Sequence, residues 1–258
     1  MTKPSPPTQR PVTTAPLRVG RLWRYPVKSL RGEQLDRATL TSRGIPGDRV
    51  VHVRGAKGLL TGRTRHRLLT VPAGTGTDGQ PLVDGHAWDS ADAAAVITAA
   101  AGADAHLVAD PAVDRFDVLP LLVATDAEVG RLGVDERRLR PNLVISGAAP
   151  GAERDWPGRA LRIGTALVGV HSLRPRCIVT TVDPDTGAQD LDVLRRVRRD
   201  FDGSIALNCW VLEEGDVGVG DPVAVVPLPA LADRDLPRPG GWVTGRQYPT
   251  RRAGGHAA

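Results

Sequence analysis

Among 258 residues there are two thiols, Cys177 and Cys209, and Cys177 has the more reactive setting. It lies between Arg174 and Arg176, whose charges favour the thiolate over the thiol. A thiolate ligates soft or high-valent metals and attacks electrophiles. A buried structural cysteine is the alternative, because free cysteine is among the most buried residue types. The β-branched run Ile178 to Val182 predicts a strand, closed by the Asp183-Pro184-Asp185-Thr186-Gly187 turn, with Cys177 at its mouth. The histidines give less. His52, His66, His86, His106, His171 and His256 show no metal-binding spacing. His171 precedes Cys177 by six residues, but no oxyanion motif supports a Cys/His hydrolase. Glycine-rich phosphate loops and dinucleotide fingerprints are absent from the sequence.

Two cysteines more than thirty residues apart exclude an intrinsic four-cysteine iron–sulfur cluster or zinc knuckle, and argue equally against a disulfide framework. No apolar run approaches the roughly 20 residues of a membrane span, and Met1 to Leu17 has no apolar segment of a secretory signal. The expected location is cytoplasmic, with no membrane partner. The net charge of +5 comes from the two ends; the body is divided, with residues 18–67 at +10 and residues 68–228 at −10. The basic half has few aromatics to stack bases and no nucleic-acid motif, so an anionic small ligand is expected there and nucleic acid is not.

The elements that must position these groups are mostly strands. Alternation or apolar runs predict strands at 18–25, 37–41, 49–53, 59–61, 67–71, 106–108, 142–146, 161–170, 178–182, 205–211 and 221–226. Residues 49–53 and 59–61 read as a hairpin around Gly55 to Gly58. Helices are expected from Ser90 to Ala101, from the capping box Thr125-Asp126-Ala127-Glu128 to Leu132, and from Asp190 to Phe201. The arginines of the last helix fit its dipole and read as a solvated face. Strands outnumber helices without alternating with them, giving an α+β or mainly β class. Residues 1–16 and 229–258 read as tails, the first Pro/Thr-rich and disordered, the second Pro/Gly/Arg-rich.

Five stretches in order carry a family resemblance. They are Leu22-Trp23-Arg24-Tyr25-Pro26-Val27-Lys28-Ser29, Leu60-Thr61-Gly62-Arg63, Arg138-Leu139-Arg140-Pro141-Asn142-Leu143-Val144-Ile145, Arg176-Cys177-Ile178-Val179-Thr180-Thr181-Val182-Asp183-Pro184-Asp185-Thr186-Gly187, and Val219-Gly220-Asp221-Pro222-Val223. Across residues 18–226 the chain resembles the MOSC family, named after the C-terminal domain of molybdenum cofactor sulfurase, in the branch containing the amidoxime-reducing components. The resemblance implies a small N-terminal MOSC β-barrel domain over residues 17–104, then a MOSC β-barrel with a few short helices over residues 105–228. It implies molybdenum cofactor, molybdenum carried on a phosphate-bearing molybdopterin, with Cys177 as the metal ligand and catalytic residue. Lys28, Ser29, Arg63, Arg140, Asn142 and Arg176 would hold the cofactor. Thr125 is counted with them, although its capping role accounts for it equally well.

The implied activity is an oxidoreductase that reduces N-oxygenated small molecules, with electrons from a separate flavin or iron–sulfur protein. A non-catalytic carrier of sulfur or cofactor is the rival, and an inert interaction module a third reading. Pyridoxal phosphate is not expected, since the chain has no room for the sulfurase's lyase domain beside the MOSC body. Two departures touch the substrate pocket: Pro175 stands where relatives often carry Ser, and Asn208-Cys209-Trp210 where they commonly carry other residues.

Overall fold

A computed structural model describes residues 15–109 and 115–230, so nearly all of both expected tails, and His256, lie outside the described residues. The first half contains β1 (Arg18–Arg24), β2 (Glu33–Leu35), β3 (Arg37–Leu40), β4 (His52–Gly55), β5 (Gly58–Leu60), β6 (Ala73–Thr75), β7 (Pro81–Val83), β8 (His86–Ala87), α1 (Ala91–Ala101) and β9 (His106–Val108). The second contains β10 (Leu121–Thr125), α2 (Asp126–Leu132), β11 (Leu143–Ser146), β12 (Arg159–Ile163), β13 (Ala166–Pro175), α3 (Asp192–Phe201), β14 (Ser204–Glu213), β15 (Gly215–Gly218) and β16 (Val223–Pro227). Among the described residues the class is mainly β with three α-helices.

One eight-stranded sheet dominates, in the order β16-β12-β13-β14-β10-β11-β1-β2. Its neighbours are antiparallel except β10 and β11, which run parallel and are joined by a crossover through α2. Among the described residues no ladder closes the sheet into a barrel, and its ends are β16 and β2. The start of β1 nevertheless reaches the approach to β16: Val19 N donates to Asp221 O at 2.9 Å, Gly220 N to Val19 O at 2.8 Å and Val223 N to Leu17 O at 2.9 Å. Smaller sheets pair β15 with β3, β4 with β5 and β9, and β7 with β6 and β8.

Burial follows the strand period. Leu22, Val123, Leu143, Ile145, Leu161, Ile163, Val168, Val170 and Leu207 fill the inside of the large sheet. A second core packs α1, through Ala93 and Ile97, on Val27, Leu30, Val53, Leu68 and Val83. A third, of Val129, Leu132, Val193, Val197 and Phe201, fixes α2 and α3 to β14 through Ile205 and Ala206. The expected caps form: Ser90 Oγ accepts from Ala93 N at 3.2 Å and Thr125 Oγ1 from Glu128 N at 3.3 Å.

Three expected strands take another form. Of the expected strand 67–71, residues 67–70 lie in a 3₁₀ helix, His66–Thr70, and of 178–182, residues 178–181 lie in another, Ile178–Thr181. In both, a threonine hydroxyl donates to the carbonyl three residues back, Thr70 to Arg67 at 2.9 Å and Thr181 to Ile178 at 2.6 Å. That local bond favours a tight turn over a ladder, despite the β-branched composition. Cys177 therefore follows a strand, β13, and precedes a 3₁₀ turn. The third, 161–170, is two strands broken at Gly164, where a Cβ would collide with the Asp216 carbonyl.

Candidate functional site

The second half of β13 leaves the sheet's hydrophobic interior, and Pro175, lacking an N–H, marks its end. The chain that follows carries Arg176 and Cys177 into a cleft enclosing about 780 Å³ between protein atoms, part of it open to solvent. Of the eight residues singled out from the sequence, seven line this cleft: Lys28, Ser29, Arg63, Arg140, Asn142, Arg176 and Cys177. Thr125 does not. Its hydroxyl is wholly buried, donating to Glu153 Oε2 at 3.0 Å while capping α2.

Four segments deliver the seven. Lys28 and Ser29 follow β1 in a tight turn, where Lys28 N donates to Val51 O at 2.8 Å and Leu30 N to Val27 O at 3.2 Å. Ser29 there has φ 73°, and Arg140, past the 3₁₀ turn Glu136–Arg138, has φ 59°. Both are in the left-handed region that non-glycine residues enter at a cost, a strain that gathers at ligand sites. Arg63 sits in the loop after β5, with its N–H donating to Thr61 Oγ1 at 3.3 Å.

Cations crowd the cleft. Beside Lys28, Arg63, Arg140 and Arg176, its wall includes Arg49, Arg115 and Arg174, against one carboxylate among the described residues, Asp117. Asp117 contacts Lys28 Nζ at 3.1 Å, Arg63 Nη2 at 2.5 Å and Arg174 Nη2 at 3.4 Å. Burial would raise its pKa, but these three cations override burial and hold the carboxyl well below the ordinary carboxylate range. Burial in turn pushes Lys28 and Arg174 down, and brings Arg140 and Arg176 to about 10. Among the described residues the cleft thus carries more positive than negative charge.

Individual roles differ. Arg176 braces the cysteine loop, donating to Leu139 O at 2.8 Å and Thr180 Oγ1 at 3.2 Å. Asn142 is buried and committed to the scaffold: Oδ1 accepts from Leu122 N at 3.1 Å, and Nδ2 donates to Trp23 O and Asp48 Oδ2, each at 3.3 Å. Tyr25 lies between two guanidinium groups, with Arg140 4.2 Å and Arg49 4.8 Å from its ring centre. Arg49 is ion-paired to buried Asp48.

Sequence reading missed Asp117, Arg49 and Arg115, and took Arg174 only as a neighbour of the thiol. Nothing local marks Asp117 as a partner of Lys28 and Arg63; only the fold brings residues 28, 63, 117 and 174 together. Cys209 is a buried thiol in the core of the large sheet, and its pKa is pushed up by burial. Among the described residues, no group of three or more His, Cys, Asp or Glu is placed to hold a metal ion. No helix among them is long and apolar enough to cross a membrane.

Residues 16–109 match the family model of the MOSC N-terminal beta barrel domain, and residues 122–224 that of the MOSC domain. Human mitochondrial amidoxime reducing component 2 is 40% identical over 92 residues, 32% of this chain and 27% of that protein. Human mitochondrial amidoxime-reducing component 1 is 36% identical over 126 residues, 42% of this chain and 37% of that protein. The matched segments thus span about a third of these relatives' lengths. Among solved structures, the YUAD protein from Bacillus subtilis aligns with a TM-score of 0.45 at 14% identity, over 83% of this chain and 97% of that one. YiiM from Escherichia coli aligns with a TM-score of 0.38 at 14% identity, over 84% and 71%. The two family models together take in most of the chain, and the chain belongs to the MOSC family.

Proposed function

We propose that the protein is a molybdenum-cofactor oxidoreductase that reduces N-oxygenated small molecules. The observation carrying this reading is the convergence of one half-buried thiol and seven cations, with one carboxylate, in a single cleft. The donor set suits a sulfur-ligated, phosphate-bearing group. Arg140 Nη2 is buried without a hydrogen-bond partner, so it has a donor in reserve for an acceptor. Lys28 offers a point charge, while Arg63 and Arg140 offer planar forks suited to phosphate. The cleft lies between the expected N-terminal domain, residues 17–104, and the MOSC domain, residues 105–228.

In this reading Cys177 supplies the soft ligand to molybdenum, and Lys28, Ser29, Arg63 and Arg140 hold the pterin phosphate and ring. When bound, the cofactor supplies a two-electron cycle that removes oxygen from the substrate. For a hydroxylamine the balance is R–NHOH + 2H⁺ + 2e⁻ → R–NH₂ + H₂O. The electrons come from a separate flavin or iron–sulfur protein. Asp117 stays ionised through the neutral range, so it orders Lys28, Arg63 and Arg174 and does not donate a proton. Asn142 and Arg176 act through position, the first holding β10 against β1 and the second holding the cysteine loop to Leu139. Leu69, Phe116 and Val179 give the cleft an apolar wall for the substrate's body.

The test is molybdenum and pterin content of protein from a cofactor-producing host, beside a Cys177→Ala variant, then reduction of N-hydroxylated compounds with an artificial electron donor. Near-stoichiometric metal that is lost in the variant, with turnover, is expected. A folded parent lacking both metal and pterin overturns the reading. Cofactor without turnover across a broad substrate panel favours a carrier.

A further inference from the structure

One cation of the cleft is held differently from the rest. Lys28 and Arg63 pair with Asp117, Arg49 with Asp48, and Arg115 donates to the Asp48 carbonyl. Arg140 lies on the Tyr25 ring, and Arg176 is tied to Leu139 and Thr180. Arg174 instead spans two side chains of the cleft wall. Its Nη1 donates to Asn208 Oδ1 at 3.3 Å and its Nη2 to Asp117 Oδ2 at 3.4 Å. These bonds take two of a guanidinium's five N–H donors. Burial pushes Arg174 down, and Asp117 and then the Cys177 sulfur oppose that fall, so the guanidinium lies within electrostatic reach of the thiol.

Asn208, one of the departures noted in the sequence, is fixed from the other side. It is buried on β14, and its Nδ2 donates across to β13, to Ser172 Oγ at 3.1 Å and Leu173 O at 3.2 Å. The register of β13 against β14 shifts there, between Val170 and Ser172 and again between Leu173 and Pro175. With Nδ2 on two acceptors, Oδ1 must face Arg174. The flipped amide would set donor against donor, and oxygen against the Leu173 carbonyl. An irregular seam of the sheet thus aims one fixed acceptor at the guanidinium.

Asp117 supplies the contrast. Its Oδ2 holds Arg63 at 2.5 Å but Arg174 only at 3.4 Å. An arginine free to close on a carboxylate makes a charge-assisted bond of about 2.7–2.9 Å. We infer that Asn208 is a positioning residue: it holds one end of Arg174, keeps it from closing on Asp117, and so leaves Arg174 as the cation that receives an anionic group beside Cys177. The compounds favoured at the thiol are then anionic rather than neutral. As a statement about substrates this rests on the proposed reduction; the placement of Arg174 does not.

The experiment uses the full chain from a host that makes no molybdenum cofactor, so that no metal occupies the sulfur. Alkylation of Cys177, followed by mass on its own peptide, is timed with iodoacetate and with iodoacetamide. Both reagents need the same thiolate and a similar approach, so their rate ratio cancels ionisation and access and keeps the local field. The ratio should fall about 3- to 10-fold in Asn208→Leu and in Arg174→Met. In the double variant it should fall no further than in Arg174→Met alone, because Asn208 acts through Arg174. An unchanged ratio in either single variant overturns the inference. A further fall in the double variant also overturns it, since Asn208 would then act on the fold at large. Asn208→Ala, which fits the same space, carries the same expectations if the leucine variant does not fold. A chain that takes up no cofactor refutes the proposed function and leaves these ratios as they are, so the two failures are told apart.

Discussion

Replacing Asp117 by Asn removes the one carboxylate in the cleft wall and leaves Lys28, Arg63 and Arg174 facing one another. Breaking a fully buried ion pair from one side costs roughly 3–5 kcal/mol, because the remaining charge is stranded. The Asp117 side chain keeps 25% exposure, so water relieves part of that cost and about 2–3 kcal/mol is expected. For a chain of this size that lowers Tm by roughly 5–10 °C. The pH dependence has a definite sign. A carboxyl whose native pKa is depressed contributes stability that is complete above its unfolded value, near 4, and is lost as pH falls toward the native value. The gap between parent and Asp117→Asn should thus be constant from pH 8 to 5 and narrow below about pH 4. Urea unfolding at a series of pH values measures it. Inorganic phosphate should rescue the variant more than the parent, by supplying the missing negative charge. Equal urea midpoints at pH 7 would refute the view that Asp117 organises the cations.

Three further outcomes are expected. Thr125→Ala should lose about 1–2 kcal/mol, the cost of a helix cap, while molybdenum content stays at the parent level, since the side chain faces Glu153 and α2; loss of metal in a folded variant would restore Thr125 to the cleft. Ile97→Ala, in the core under α1, should cost about 2–5 kcal/mol by denaturant melt, because Ile97 is fully buried. Asp185→Asn cuts contacts to Arg31 at 3.2 Å and Arg137 at 2.5 Å, joining the segments of Lys28, Arg140 and Cys177. Being exposed, this network should change Tm by little, about 2 °C or less, yet Cys177 should react severalfold faster with a disulfide reagent; an unchanged rate would show that the contacts of Arg176 and Arg138 suffice to hold the loop.

What could be read in the sequence was what local chemistry dictates. The caps at Ser90 and Thr125 and the hairpin at Gly55 to Gly58 are written in adjacent residues and appear as expected. Cys177 and six ordered polar positions were legible through their motifs, and they line one cleft. The 3₁₀ turns at His66–Thr70 and Ile178–Thr181 were not, because a threonine's bond to its own backbone competes with the β tendency of its neighbours. Asp117 was silent for another reason. Its partners lie 54 to 89 residues away along the chain, and no spacing rule reaches that far.

The seam where Leu17 and Val19 meet Gly220 to Val223 has a consequence for the order of assembly. During synthesis β1 emerges roughly two hundred residues before the segment that braces its start, and before β11, its sheet neighbour. Contacts of such long range make completion slow compared with the forming of local helices and hairpins. Lys28 and Ser29 therefore exist on the nascent chain long before the site they belong to does. Ribosome-bound chains stopped ahead of β14 should have a formed second core, around α1, and no competent anion cleft.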